Sequence, residues 1–289
     1  MDALELLQKV RRIEIKTRRL SDQLFSGEYQ SSFKGRGMSF AEVRPYQNGD
    51  DVRSIDWNVT ARKRSPYIKV FEEERELTLF LVIDISKSTR YGSARRSKGD
   101  LLTEIAATLA FSAMGNNDKI GLILFAGQVE KVIPPKKGKS HVMRIIKTIL
   151  EHEPQHEGTR VDLALEHLLR IQKRHSIVFV MGDFMGELPE RALKIAAKRF
   201  DLCAIHVYNE GEQHLPKVGL LPVVDAETGA LQWFQSGSKK FQQALQARHI
   251  KHQAEVADLA KKAGAGCIAL SDQDDFVPPL LQFLKSKSR

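Results

Sequence analysis

Cysteine is nearly absent from this sequence: Cys203 and Cys267 are the two in 289 residues. Both lie in apolar stretches, Asp-Leu-Cys-Ala-Ile-His-Val-Tyr and Ala-Gly-Cys-Ile-Ala-Leu. They read as reduced core thiols of a cytoplasmic protein, which excludes a disulfide framework, and neither setting activates a thiolate. No apolar run reaches the roughly 18 residues that a membrane-spanning helix needs. The segment Met1–Leu20 is basic but lacks an apolar core followed by a small-residue cleavage site, so no signal peptide is expected. Aromatic residues are also few, and none interleaves the basic runs at 61–64, 94–98 and 134–139 as base-stacking platforms would require. The formal charge of +9 therefore reads as a solvated surface, with nucleic acid the lesser reading. Hydrolase signatures are missing too: there is no Gly-x-Ser-x-Gly elbow, and the His-Glu-x-x-His letters at 152–156 enclose Pro154 and so make no helix. Pro-Pro-Lys-Lys-Gly-Lys-Ser at 134–140 has Ile133 where a phosphate loop needs glycine, so nucleotide work falls to a partner.

What is present is a regular alternation. Residues 3–25 carry Leu4, Leu7, Val10, Ile13 and Leu20 roughly on one side, the pattern of an amphipathic helix. From Gly27 to about Glu76, glycines and short polar alternations predict turns and short strands. Apolar strand-length runs then recur at 76–84, 118–127, 176–184, 201–209 and 267–271, with 129–135 as a possible neighbour of the second. Helical patterns separate them at 97–115, 139–152, 160–172, 189–199 and 238–262, and a last one covers about 274–286. Two apolar runs around Asp225-Ala226-Glu227-Thr228-Gly229 predict a hairpin within 221–234. Continuous apolar strands separated by helices imply a parallel sheet covered on both faces, a doubly wound α/β domain. Such sheets bind ligands at the carboxyl ends of their strands, where the strand order reverses.

Asp84, Ser86 and Ser88 follow the first of these strands, and three small oxygen side chains at every second position can face one point. They carry one formal charge among them. That set suits a hard cation such as Mg²⁺ or Mn²⁺, which takes octahedral oxygen coordination and keeps several waters. Zinc would call for Cys or His at those positions. A low-charge site leaves the ion electrophilic and able to recruit a carboxylate from a partner. Thr159, just before a helix, can add a hydroxyl, and Asp183, at the end of a later strand, can hold a metal-bound water. Each piece alone has a plainer role as a helix cap; the combination points to a site.

Asp-x-Ser-x-Ser at 84–88, then Thr159, then Asp183, resembles the metal-ion-dependent adhesion site of von Willebrand factor A domains. Ahead of it stands Gly49-Asp50-Asp51-Val52-Arg53-Ser54-Ile55-Asp56-Trp57, followed by Ala61-Arg62. That block is similar to the one preceding the A-type domain in the bacterial domain-of-unknown-function 58 family. The resemblance runs over about residues 25–285. It implies a von Willebrand factor A-like fold, with Asp84, Ser86, Ser88, Thr159 and Asp183 holding the ion directly or through water. It also implies work alongside a MoxR-type AAA+ ATPase, or that enzyme's client, in protein maturation or assembly.

Two other clusters have competing readings. Asp50, Asp51, Arg53, Asp56 and Trp57 could form a partner surface, but acids and arginines in a turn-rich segment more often pair with each other and with backbone amides, while Trp57 anchors the module. His152 and His156 among the glutamates of 151–158 could ligate zinc or tune binding with pH, and read more simply as an exposed loop. The expectation is an N-terminal helix and small β-rich module (1–76), then a von Willebrand factor A-like domain (77–289) with a hairpin insertion near 217–234. Its function is expected to be Mg²⁺-dependent protein binding, with Mn²⁺ or Ca²⁺ as other candidate ions, and neither a small-molecule substrate nor an enzymatic reaction. The rivals are a Mg²⁺-dependent phosphohydrolase and, more weakly, a basic nucleic-acid binder.

Overall fold

A computed structural model describes residues 38–73, 77–93, 96–212, 215–224 and 230–287, and Glu14 besides. The amphipathic helix expected over 3–25 and the turn 225–229 lie outside the described residues, apart from Glu14. The chain divides into two compact units, Phe33–Leu77 and the remainder.

In the smaller unit, β1 (Met38–Pro45) and β2 (Tyr67–Glu73) pair antiparallel, with a bulge between Phe40 and Glu42. Between them lie a 3-10 turn (Val52–Ser54) and helix α1 (Trp57–Lys63). Turns and short strands were expected here, and the helix was not. Its start was nevertheless written in the sequence: Asp56 is the N-cap and accepts from the Asn58 and Val59 amides at 2.9 and 3.2 Å.

The larger unit is built on a six-stranded sheet. Its strands are β3 (Thr78–Asp84), β4 (Lys119–Phe125), β5 (Val129–Lys136), β6 (Ile177–Gly182), β7 (Asp201–Tyr208) and β10 (Gly266–Ser271), in the order β10-β7-β6-β3-β4-β5. All neighbours are parallel except the β4–β5 edge pair. Helices α2 (Lys98–Gly115), α3 (Lys139–Glu151), α4 (Val161–Ile171), α5 (Glu190–Arg199), α6 (Lys239–Ala263) and α7 (Val277–Lys287) make the connections and the ending. A separate two-stranded ribbon, β8 (Leu220–Val224) with β9 (Leu231–Gln235), is the expected hairpin. This is the doubly wound, mainly parallel, von Willebrand factor A-like architecture that the sequence predicted.

Alternation along the strands explains why they read as continuous apolar runs. Phe80, Val82, Ile123, Val178, Val180, Leu202 and Ala204 pack in one core with residues of α4, α5 and α6. Leu79, Leu81, Ile83, Leu122 and Leu124 project from the opposite face and are equally buried. Helix α2 buries residues around nearly its whole circumference and is fixed at its start by a reciprocal Ser97–Asp100 capping box. Helix α6 ends where Gly264 takes the left-handed conformation at φ 79° and closes its last turn onto Ala260 and Lys261.

The chain leaves β3 towards β4 on one side, and later leaves β6 towards β7 on the other. Strands β3 and β6 are adjacent, so the order reverses between them. A crevice therefore opens at their carboxyl ends, where Asp84 closes β3 and Asp183 follows β6.

Candidate metal centre

The loop after β3 is tightly hydrogen-bonded. Asp84 Oδ1 accepts from the Ser86 amide at 2.8 Å, and the Ser86 and Ser88 hydroxyls lie 3.0 Å apart. Residues 87–90 form a 3-10 turn closed by the Thr89 amide and hydroxyl on the Ser86 carbonyl, at 3.1 and 2.8 Å. Ser88 in turn donates to the Asp183 carboxylate. Four of the five expected ligands are thus joined in one chain of contacts, Asp84–Ser86–Ser88–Asp183. Asp84, Ser86 and Asp183 are each 1% exposed, so their oxygens are held away from bulk water.

Two glycines make the crevice possible. A methyl group at Gly182 would stand 2.7 Å from Asp84 Cβ and 3.0 Å from Asp84 Oδ2, so the carboxylate lies directly across the end of β6. A methyl at Gly186 would meet the Thr159 carbonyl oxygen at 2.4 Å, which brings the loop after Asp183 against the Thr159 segment. Thr159 is buried, and its hydroxyl has no hydrogen-bond partner among the described residues. A buried hydroxyl without a partner is costly, and its presence here fits a donor set that is completed by something else. The five side chains offer only oxygen, carry two formal charges, and therefore fit a hard divalent cation.

Three residues that sequence reasoning passed over shape the site. Lys98, the first residue of α2, is 0% exposed, and its ammonium contacts Asp183 Oδ2 at 2.8 Å and Glu212 Oε1 at 2.6 Å. Burial works against the charge on Lys98, but the Asp183 and Glu212 carboxylates outweigh it and hold the ammonium above the ordinary lysine pKa. Likewise burial alone would push the Asp183 carboxyl up, whereas Lys98, Ser88 and the Met185 amide together hold it below the usual carboxylate range. One signal for Lys98 was available: a cation at a helix N-terminus opposes the macrodipole and calls for a compensating partner.

The third is Glu130 on β5, whose side chain is almost fully buried. Its Oε1 accepts from the Gln155 and His156 amides at 3.0 and 2.9 Å and approaches His156 Nδ1 at 3.0 Å. The histidine-rich stretch before Thr159 is thereby folded onto a carboxylate. Among the described residues no group of three or more His, Cys, Asp or Glu is placed to hold a metal. The glutamates of that stretch also meet the basic residues of the serine loop: Glu157 pairs with Lys87, and Glu153 lies 3.7 Å from Arg90. Arg160, beside Thr159, is engaged by Asp162 at 2.8 and 2.6 Å.

In the smaller unit, the acids of the Gly49–Trp57 block serve local turns. Arg44 holds Asp50 bidentately at 2.8 and 2.7 Å, and this bond keeps the Asp50 carboxyl below its usual range. Asp51 accepts from the Arg53 amide at 2.9 Å, and Asp56 caps α1 with Lys69 3.6 Å away. Trp57 departs from expectation: it is 69% exposed, the first residue of a short helix that buries none of its own residues.

A family model described as "Protein of unknown function DUF58" matches residues 42–255. Uncharacterized protein Rv1480 of Mycobacterium tuberculosis is 30% identical over 292 residues, spanning 100% of this chain and 92% of its own length. YeaD of Bacillus subtilis is 27% identical over 107 residues, which cover 37% of this chain and 25% of YeaD. Among solved structures, an aerotolerance-related membrane protein from Bacteroides fragilis superimposes with a TM-score of 0.52 at 16% identity, over 73% of this chain and 98% of that one. This last likeness is one of fold. No helix among the described residues is long and apolar enough to cross a membrane.

Proposed function

The chain belongs to the DUF58 family, and from that premise and the geometry above we propose that its larger unit is a divalent-cation-dependent protein-binding module. Asp84, Ser86, Ser88, Thr159 and Asp183 would hold Mg²⁺, with Mn²⁺ and Ca²⁺ as the other candidates. Bound there, the cation would supply an electrophilic centre that accepts an Asp or Glu side chain from a partner. The observation that carries this reading is the contact chain from Asp84 through Ser86 and Ser88 to Asp183, at the point where the strand order reverses.

The chain's own residues favour binding over turnover. Ser86 and Ser88 occupy the positions after Asp84 where a phosphohydrolase would place a second acid, and they supply ligands but no base. The Asp183 carboxylate is committed to Lys98 and Ser88. The partner class we assign is a MoxR-type AAA+ ATPase or its client, met in the cytoplasm, in keeping with the family resemblance.

The test is affinity capture with wild type and Ser86→Ala, each in Mg²⁺ and in EDTA. Retention of an AAA+ ATPase by wild type in Mg²⁺ alone is the expected result. Equal retention in all four conditions would remove the serine loop from the binding site. Turnover of a generic phosphate ester, abolished in Asp84→Ala, would instead establish the phosphohydrolase reading.

A further inference from the structure

Lys98 is the one fully buried lysine among the described residues. Its Nζ reaches Asp183 on the strand-end loop after β6 and Glu212 on the 3-10 turn after β7. Glu212 is itself fixed, since its Oε2 accepts from the Asn209 amide at 3.2 Å. Ordering a lysine in this way is expensive, because its ammonium gives up water and its stem gives up rotamers. A neutral hydrogen-bond donor would hold Asp183 in place at lower cost. What a lysine adds is a permanent positive charge.

That charge alters the balance of the site. Asp84, Asp183 and Glu212 contribute three negative charges, and Lys98 offsets one of them. A cation bound by the five oxygen side chains would feel Asp84 in full and Asp183 largely neutralised. The site then grips a cation less strongly than two free aspartates would, and leaves more of the cation's charge uncompensated for an incoming anion.

We propose that the Lys98 ammonium, held between Asp183 and Glu212, is the specificity-determining charge of this site, weakening its hold on a divalent cation and strengthening the hold of that bound cation on a carboxylate. The inference rests on reading the site as a divalent-cation centre. It assigns opposite effects to one residue, which a purely structural strut would not produce.

The experiment uses Mn²⁺ alone as the metal probe and acetate as the carboxylate probe, on the full chain. Calorimetry gives the Mn²⁺ affinity, and water-proton relaxation of bound Mn²⁺ reports acetate displacing its water. Lys98→Met should bind Mn²⁺ at least tenfold more tightly and acetate several-fold more weakly than wild type. Glu212→Gln removes a negative charge and should shift both affinities the other way; it serves also if Lys98→Met does not fold. Mn²⁺ binding that is unchanged or weaker in Lys98→Met, or tighter in Glu212→Gln, overturns the role of Lys98 while leaving the metal site standing. Absence of Mn²⁺ binding in wild type and in both variants overturns the metal reading and this inference together.

Discussion

The Asp84 side chain rests across Gly182 on the neighbouring strand, so closely that a methyl group there would approach Asp84 Cβ to 2.7 Å. The residue at the end of β6 and the aspartate at the end of β3 are thus one packing unit. Gly182→Ala must displace the carboxylate or the strand end. Overpacking of this kind costs about 1–3 kcal/mol. Chemical denaturation should show that loss, and the Mg²⁺-dependent rise in Tm expected of wild type should be absent. A variant with wild-type stability and an intact metal response would show that Asp84 has room to move.

Thr159→Val removes a buried hydroxyl that has no partner among the described residues. In EDTA the variant should be more stable than wild type, by about 1 kcal/mol, because an unpaired hydroxyl no longer has to be buried. In Mg²⁺ the order should reverse, since the metal-dependent stabilisation is reduced. Denaturant midpoints under the two conditions decide it, and destabilisation in EDTA would mean that the hydroxyl is bonded.

Glu130→Ala should loosen the segment leading to Thr159. The carboxylate accepts from two successive amides, Gln155 and His156, and its loss should cost about 1–3 kcal/mol. Hydrogen exchange at residues 155 and 156 should accelerate, with the strands of the sheet unaffected. Unchanged exchange there would show that the loop holds itself.

His206 gives a pH dependence. It is buried on β7, and burial, reinforced by the nearby His252, takes its pKa down to about 3. The unfolded chain protonates near the ordinary value of about 6.5. Between those limits the unfolded state binds more protons, so stability is full above about pH 6.5 and is lost as the pH falls towards 3. From pH 7.5 to pH 5 this one group should cost about 2 kcal/mol. His206→Leu should flatten the stability profile by that amount, and an unaltered slope would place the effect elsewhere.

Much of the architecture was legible in the sequence, since a strand buried on both faces leaves an uninterrupted apolar run. Leu79–Ile83 and Ile177–Met181 are of that kind. The aspartate and serines at 84–88 were legible as well, because their spacing is local. Lys98 was harder, since its partners lie 85 and 114 residues further along the chain. Ion pairs across such distances leave no periodic trace, and only the awkwardness of a lysine at a helix start marks the place. Helix α1 was missed because seven residues containing Val59 and Thr60 show no helical period. Trp57 was misjudged because aromatic residues are usually inside, whereas this one begins a helix that buries none of its own residues.

Those long separations between Lys98 and its partners also govern when the site comes into being. As the chain emerges from the ribosome, Asp84 and its serines appear well before the strand that leads into Asp183, and Glu212 comes later still. Until β6 and β7 have docked, Lys98 lacks both of its carboxylates and the Thr159 loop has nothing to close against. Contacts this distant in sequence close long loops, and that closure slows their formation. A capacity to take up a cation would therefore mark a finished sheet, and partly synthesised or truncated chains would be silent towards any partner that senses it.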